Sequence, residues 1–402
     1  MIASQSLSAE AQLLLMAADG RSDATHASIS LDDHFDWAKL LRLAQEEGST
    51  ALVWRWVRHT HAQHVPADVA IQWQRLAMVA EFQMLHLERL LDDVLDVFEA
   101  YGIESVLLKG SALAYTVYGS FAARPMGDLD LLVRPVQAQE AWSLLQANGW
   151  VWPSDRWPRA HYVAHQHLPP LVHSSGSELR AEIHSALFPI GHPFRWPVED
   201  VWNQATRLRV QNRSVLVPQP FHQLLHLCIH FAWSHEMRWG SWRALRDVAA
   251  ITRRENIGWT AFVETARTCR ATTCCYWTLR LARDLSGALV PDDVLHALRP
   301  PRPESLLRRL ECHYTLQLFA LDNVCPSEGL NNALWQLGIA PRWCGHGGAR
   351  PWQGAEHWTA NGDQRSARAA WPRRIMNRVR HAAAILVYLG RVTATTGHPL
   401  RA

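Results

Sequence analysis

The hydrophobic pattern of the chain changes at residue 102, and this change constrains the fold more than any other feature of the sequence. Before it, apolar residues recur at helical spacing in Ala9–Ala18, Trp37–Glu47 and Val69–Tyr101. After it, Ile103–Leu108 is a short apolar run between two glycines, and Gly127–Arg134 begins with strict alternation of polar and apolar residues. Both patterns are typical of strands. We therefore predict a helical region followed by a sheet.

Further elements complete the prediction of a small sheet with helices around it. They are a helix from Ser111, its N-cap, to Tyr118, a helix from Pro135 to Asn148, and strands at Leu168–Val172 and Glu178–His184. A serine-rich turn joins the two strands. Because helices and strands are mixed here, we predict a compact core of α and β structure.

The order of these elements predicts an α+β fold, in which a small mixed-sheet core is flanked by N- and C-terminal helical regions. The predicted regions are an N-terminal helical region (1–100), the α/β core (101–188), a linker (189–220), a C-terminal helical domain (221–337), and an Arg- and Trp-rich loop with a terminal helix (338–402). The linker contains five prolines and one predicted short hairpin. The last helix is expected from Arg373 to Arg391.

The composition narrows the class of protein. The chain has 402 residues, of which 48% are apolar and 19% charged, as in globular proteins. A net charge of +3 is too small to indicate a nucleic-acid partner, and the longest apolar run, Ala382–Leu389, is too short to span a bilayer. No secretory signal is visible, and seven cysteines without C-x-x-C spacing predict reduced thiols. We therefore expect a cytoplasmic protein without a membrane partner.

Two aspartates in the strand Gly127–Arg134 give the first indication of chemistry. Side chains two residues apart on a strand point to the same face, so Asp128 and Asp130 share one side while the neighbouring leucines enter the core. Two carboxylates held this close repel each other unless a cation or a proton lies between them. Mg²⁺ suits this position, since it binds one or two carboxylates together with phosphate oxygens and water.

The triplet Lys109-Gly110-Ser111 lies where a predicted strand passes into a predicted helix. Glycine lets the backbone approach a ligand closely, and a helix N-terminus presents free N–H groups to an anion. Only Lys39 and Lys109 are lysines among 40 basic residues. A lysine kept in this turn predicts a point charge that contacts phosphates.

Glu182 lies on a predicted strand whose polar residues alternate with apolar ones. The alternation puts Glu182 on the same face as Arg180 and His184. If this strand neighbours the Asp128 strand, Glu182 completes a site of three carboxylates, which can bind two metal ions and stabilise in-line attack on phosphorus. His184 either orients Glu182 or only fills a strand position.

The order of a phosphate loop, a D-x-D strand and a later acidic strand resembles the nucleotidyltransferase superfamily that includes DNA polymerase β. More narrowly, KGSALAYTVYGSFAARPMGDLDLLV is similar to the KG…RPMGDxDLLV signature of the uncharacterised bacterial nucleotidyltransferase family. The resemblance covers roughly residues 75–255 and includes HQHLPPLV, AEIHSAL and LLHLCIHFAWSH…RALRDVAAI. Sixteen residues separate Ser111 from Asp128, more than is usual in the superfamily, but the narrower family shares this spacing.

The resemblance implies roles for individual residues. Those that it assigns to the nucleoside triphosphate are Gly110, Ser111 and Arg124, and those that it assigns to metal are Asp128, Asp130 and Glu182. It also implies that His230 and Asp247 form a polar pair in the C-terminal helical region, near the acceptor substrate together with His184.

Two other motifs are interpreted as structural. His222, His226 and His230 recur every four residues and therefore line one helical face. This spacing could bind zinc, but no H-E-x-x-H pattern is present and apolar residues surround the stripe, so packing is the preferred interpretation. The basic residues of the last predicted helix are interpreted as a solvated helix face, and the alternative is that they contact an anionic surface or RNA. They are Arg373, Arg374, Arg378 and Arg380.

The sequence thus predicts a Mg²⁺- or Mn²⁺-dependent nucleotidyltransferase that moves a nucleoside monophosphate from an NTP, with ATP as the expected donor, to a sugar, peptide or protein. Asp128 and Asp130 would bridge the metals, and Glu182 would hold the catalytic metal and help to deprotonate the acceptor. One alternative is a nucleotide-sugar glycosyltransferase, which also uses D-x-D but lacks the phosphate loop and the acidic strand. The other is a catalytically inactive nucleotide-binding module, against which the three carboxylates argue.

Overall fold

The computed structural model describes residues 7–19, 31, 34–153, 158–174, 179–210, 213–340 and 371–394. Its helices are α1 (Ala9–Asp19), α2 (Trp37–Glu46), α3 (Thr50–Thr60), α4 (Ala67–Ala100), α5 (Lys109–Leu113), α6 (Ala138–Ala147), α7 (Val198–Gln204), α8 (Pro220–Ile229), α9 (Ser241–Arg254), α10 (Trp259–Thr268), α11 (Thr272–Ser286), α12 (Asp292–Leu298), α13 (Glu304–Gln317), α14 (Glu328–Gly338) and α15 (Trp371–Ala394). Its strands are β1 (Ser105–Leu107), β2 (Asp128–Val133), β3 (Trp150–Val151), β4 (Leu171–His173), β5 (Arg180–His184), β6 (Thr206–Val210) and β7 (Arg213–Val217). The fold is α+β with helical flanks, as predicted.

The strands form a mixed sheet in the order β3-β4-β5-β2-β1-β7-β6. β2 runs parallel to β5, and β1 runs parallel to β7, whereas the other neighbouring strands are antiparallel. β4 begins at Leu171, later than predicted, because Pro169 and Pro170 have no N–H group for pairing. The two strands with the predicted carboxylates, β2 and β5, lie next to each other at the centre of the sheet.

The hairpin of β6 and β7 lies within residues 189–220, which the sequence predicted to be a linker with one short hairpin. Val106 of β1 pairs with Leu216 of β7, so the hairpin extends the sheet and this part of the segment is not a linker. The alternation in β7 explains its position, because Val215 and Val217 point into the apolar core. The same segment also contains the short helix α7.

Helices cover both faces of the sheet. On one face, Leu129, Leu131 and Val133 of β2 pack with α4 and α6. On the other face, Val106 and Leu132 belong to a larger apolar cluster with residues of α1–α3 and α8–α14. The two predicted helical regions therefore share one core, and β2 is held between apolar layers on both sides.

The turn from β1 into α5 differs from the prediction. α5 begins at Lys109 with Leu108 as its N-cap, so Ser111 lies inside the helix and is not its N-cap. Lys109 has a φ angle of +45°, a left-handed conformation that bends the chain into the helix directly after the strand. A π-helical turn, Ala114–Tyr118, follows and ends at Gly119, whose φ angle is +83°.

The C-terminal helix α15 contains the predicted segment Arg373–Arg391. Residues 175–178, with most of the predicted serine-rich turn, residues 341–370 of the predicted loop, and the side chains of the four arginines lie outside the described residues. In the described ranges, no helix combines the length and the apolar character needed to cross a lipid bilayer. The six cysteines of these ranges are free thiols, in agreement with the prediction.

Candidate active site

β2 and β5 place two carboxylates side by side. The strands pair in parallel with Asp130 opposite Glu182, and side chains at opposite positions of neighbouring strands point to the same face. The register also puts Leu131 opposite Ile183, and both of these enter the core on the other face. The condition under which Glu182 joins the aspartates, that its strand neighbours the aspartate strand, is therefore met.

His184 joins these two carboxylates. One ligand atom from each of Asp130, Glu182 and His184 lies within 4.8 Å of the other two. His184 Nε2 is 2.8 Å from Asp130 Oδ1 and 3.5 Å from Glu182 Oε2. Carboxylate oxygen and imidazole nitrogen are both ligands of divalent cations. The three side chains therefore fit a divalent cation.

Lys109 places a positive charge beside the carboxylate of Asp130. Its Nζ lies 2.8 Å from Asp130 Oδ1. Burial alone would lower the pKa of Lys109, but the charges of Asp130, Glu182 and Asp128 raise it above its ordinary value, so the ammonium group stays charged. The left-handed backbone of Lys109 is a strained conformation of the kind that persists at functional sites, at roughly 1–3 kcal/mol.

The carboxylates of the site differ in their pKa values. Asp128 is half-buried at the start of β2, and burial, followed by the charges of Asp130 and Glu182, raises the pKa of Asp128 to about 7. Burial also favours protonation of Asp130, but the charge of Lys109 lowers the pKa of Asp130 below its ordinary value. For Glu182, burial is outweighed by two neighbouring histidines, and the pKa lies well below its ordinary value. The two inner carboxylates are therefore ionised near neutral pH.

Gly110 and Ser111, which were predicted to contact the phosphates, are both buried in α5. A Cβ at Gly110 would lie 3.1 Å from both Arg124 Nη1 and Met126 Sδ, so glycine permits close packing against the loop before β2. The Ser111 hydroxyl lies 3.9 Å from Met126 Sδ and has no exposed surface. The structure thus shows these residues joining α5 to that loop, and their contact with phosphates stays a prediction.

Arg124 is engaged with Asp247 of α9. Its Nη2 donates to Asp247 Oδ2 at 2.7 Å, its Nε donates to both carboxylate oxygens at 3.1 Å, and its Nη1 donates to the Pro125 carbonyl at 2.7 Å. Asp247 is fully buried and also accepts from Tyr118 Oη at 2.9 Å. Asp247 therefore has Arg124 and Tyr118 as partners, and not His230 as the resemblance implied. A contact of Arg124 with phosphates stays a prediction.

The histidine stripe of α8 reaches the site with two of its members. His226 and His230 lie close enough to Lys109 and His184 for the charges to act on them. Burial, followed by the charge of Lys109, lowers the pKa of His226 to about 3. His222 instead packs against aromatic rings. Among the described residues, none of the three belongs to a group with metal-ligand spacing, and their interpretation as packing residues stays a prediction.

His167 is a site residue that the sequence analysis did not select. A β-bridge pairs His167 with His184, and its buried ring lies with Nε2 at 3.6 Å from Glu182 Oε2. Its Nδ1 lies 2.8 Å from the carbonyl oxygen of Leu168. The only sequence signal was its place in the segment HQHLPPLV, directly before a predicted strand.

Arg243, in the first turn of α9, is the second such residue. Its guanidinium lies against two glycines, with Nη1 3.4 Å from the Cβ position of Gly48 and Nη2 3.4 Å from that of Gly240. It makes no hydrogen bond or ion pair within the described parts of the chain, yet it is close enough to Asp128 for their charges to interact. A half-buried guanidinium of this kind is suited to bind an anion. The only sequence signal was its place at the start of the segment RALRDVAAI, since helical periodicity does not distinguish among the polar residues of α9.

Comparisons with known proteins agree with this geometry. The model of a family described as "Uncharacterised nucleotidyltransferase" matches residues 33–287, which include the whole sheet and every site residue named above. No curated protein matches the chain. No solved structure matches it either. Because the match covers more than half of the chain, the protein belongs to this nucleotidyltransferase family and is an enzyme that transfers phosphorus-containing groups.

Proposed function

We propose that the protein transfers a nucleoside monophosphate from a nucleoside triphosphate to an acceptor and releases pyrophosphate. The observation that supports this most is the parallel register of β2 and β5, which places Asp130 and Glu182 in a group that fits a divalent cation. In a nucleotidyltransferase, such a group suits metal-assisted displacement at phosphorus. ATP is the expected donor, and Mg²⁺ or Mn²⁺ is the expected cation.

The side chains around this group have different roles in binding. Asp130 and Glu182 would hold the cation, with Asp128 as a further ligand. When bound, the cation neutralises negative charge on the phosphates and on the attacking oxygen. Lys109, which contacts Asp130, and Arg243, which interacts with Asp128, would both add positive charge to the binding place of the triphosphate.

In the proposed reaction, an acceptor oxygen attacks the α-phosphorus in line with the leaving group. The bond between this phosphorus and the oxygen that bridges to the β-phosphate breaks, and pyrophosphate leaves with that oxygen. The proton of the acceptor passes to a carboxylate of the site, for which we expect Glu182. The acceptor then carries the nucleoside monophosphate.

We expect the acceptor to be a hydroxyl or similar group on a sugar, a peptide or a protein. Polysaccharide and peptide natural-product biosynthesis in the cytoplasm are the expected contexts, and the net charge of +3 does not favour a nucleic acid. Incubation of the protein with α-labelled NTPs and a cell lysate, followed by separation of the labelled products, identifies the acceptor class.

Pyrophosphate release and calorimetric ATP binding, each measured with Mg²⁺ and with Mn²⁺, test the proposal. Asp130→Asn should lower the transfer rate by about 100-fold or more, because it removes a negative charge that would hold the cation at the reacting phosphates. Asp293→Asn, which changes an exposed carboxylate of α12, should leave the rate unchanged. An Asp130→Asn variant with wild-type transfer, or a wild type that turns over UDP-sugars and not NTPs, would contradict the proposal.

A further inference from the structure

We propose that Nε2 of His167 is a direct ligand of the metal ion at the Asp130–Glu182 site, and that the site therefore selects a transition metal such as Mn²⁺ over Mg²⁺. This inference rests on the proposed function, because it concerns the same metal site. It adds a nitrogen ligand from a third element, the segment that leads into β4.

The tautomer of His167 is set by its backbone neighbour. Nδ1 lies 2.8 Å from the carbonyl oxygen of Leu168. A carbonyl oxygen can only accept a hydrogen bond, so Nδ1 must carry the hydrogen. In the neutral ring, Nε2 then carries a lone pair and no hydrogen.

That nitrogen lies close to a carboxylate oxygen. His167 Nε2 lies 3.6 Å from Glu182 Oε2, which is too long for a hydrogen bond. Two ligands that each lie about 2.1 Å from one ion are about 3.0–3.4 Å apart on adjacent octahedral or tetrahedral positions. The observed separation is a few tenths of an ångström longer. His167 lies outside the group whose ligand atoms are within 4.8 Å of one another, so its ring would have to move toward Asp130 to share an ion with both carboxylates. Two buried hydrogen-bond acceptors without a donor between them are unfavourable, and a cation that binds both would stabilise them.

His184 is placed differently, although it lies closer to Asp130. Its Nε2 is 2.8 Å from Asp130 Oδ1, so this nitrogen donates a hydrogen bond to the carboxylate. Its Nδ1 is buried and has no partner in the described residues. Histidines that bind metals usually donate their second ring N–H to a carbonyl or a carboxylate, as His167 does to Leu168. In the metal-bound site we therefore assign the nitrogen ligand to His167 in place of His184, and His184 orients Asp130.

An imidazole ligand changes which ion the site prefers. Mg²⁺ takes oxygen ligands and retains several waters, whereas first-row transition ions readily accept imidazole nitrogen. His167 is buried, with 6% of its side chain exposed, so its nitrogen would replace a water on the ion. Two carboxylates and one imidazole therefore form a set that favours Mn²⁺ over Mg²⁺.

The experiment measures Mn²⁺ and Mg²⁺ binding to the full chain without nucleotide, together with the electron spin-echo modulation of bound Mn²⁺. In the wild type we expect ¹⁴N modulation from a coordinated imidazole and Mn²⁺ binding that is tighter than Mg²⁺ binding by about 30-fold. His167→Gln should abolish the modulation and weaken Mn²⁺ binding about 10- to 100-fold, with little change for Mg²⁺. His173→Gln, which changes a β4 imidazole that packs on Trp150, should alter neither property.

A His184→Gln variant separates the two imidazoles of the site, and it should retain the ¹⁴N modulation. Loss of the modulation in His184→Gln with its persistence in His167→Gln would overturn the inference. Bound Mn²⁺ without ¹⁴N modulation in the wild type would also overturn it, while the proposed function would stand. Failure of the wild type to bind either ion would count against both. Where His167→Gln does not fold, His184→Gln decides the question, because modulation that is retained without His184 supports His167 as the ligand and modulation that is lost overturns the inference.

Discussion

The buried ion pair between Arg124 and Asp247 allows a test of what holds the helical region to the sheet. Asp247 is 0% exposed and Arg124 is 9% exposed, and three nitrogen–oxygen contacts of 3.1, 3.1 and 2.7 Å join them. Removal of one partner leaves the other charge buried without compensation, which typically lowers the free energy of unfolding by about 3–5 kcal/mol. We expect a loss of this size in Asp247→Asn and in Arg124→Met.

The double variant Arg124→Met/Asp247→Leu should lose less stability than the two single variants together, because it leaves no buried charge unpaired. Urea unfolding followed by tryptophan fluorescence measures the free energies, and calorimetry measures ATP binding to each folded variant. The same calorimetry tests the predicted contact of Arg124 with phosphates, because loss of that contact should weaken ATP binding to the double variant, whereas near wild-type affinity would contradict the contact. A single variant that loses less than about 1 kcal/mol would refute the energetic argument. A stable double variant that no longer binds ATP would show that Arg124 contacts the nucleotide.

Two further predictions concern the stability of the fold at other positions. Burial raises the pKa of Glu47 from 4.5 to about 7, so the folded chain retains a proton that the unfolded chain releases, and stability should fall by about 3 kcal/mol between pH 4.5 and 7. Glu47→Gln, whose amide oxygen can still accept from the Trp242 N–H, should remove that fall, and equal pH profiles of the unfolding free energy would contradict this. A Cβ at Gly338 would lie 2.0 Å from the buried Tyr314 Oη, so Gly338→Ala should lower the stability by about 1–3 kcal/mol. Gly390→Ala, where no atom lies within 4 Å, should instead raise it by up to about 1 kcal/mol, and equal melting temperatures of the two variants would refute the steric argument.

Local patterns in the sequence predicted the elements that depend on local physics. Alternation along Asp128–Val133 correctly separated the face that carries Asp130 from the face that packs into the core. Helical periodicity located α4, although the structure begins this helix at Ala67. Pairing between distant strands could not be predicted this way, because alternation gives the faces of a strand and not its neighbours. The parallel contact of β1 with β7 was therefore missed, and residues 189–220 were interpreted as a linker.

In the site, too, local patterns predicted some features and missed those that depend on the tertiary structure. Alternation could place Glu182 and Asp130 each on the polar face of a strand, but that the two strands are neighbours was only a condition, which the register meets. His167 and Arg243 reach the site from a segment before β4 and from α9, so only the tertiary structure brings them there. The sequence also did not show that Arg124 and Tyr118 are the hydrogen-bond partners of Asp247, and a place of His230 and Asp247 near the acceptor stays a prediction.

The pairing of β1 with β7 also affects how the chain can be synthesised and shortened. Val106 of β1 pairs on one side with Leu132 and on the other with Leu216, which lies far downstream. During translation, the edge of β1 that faces β7 stays unpaired until the hairpin leaves the ribosome, and such edges readily pair with other chains. A fragment that ends before Thr206 would contain every acidic residue of the site and would still expose this edge. It should therefore aggregate, and expression trials of shortened chains need to retain the hairpin.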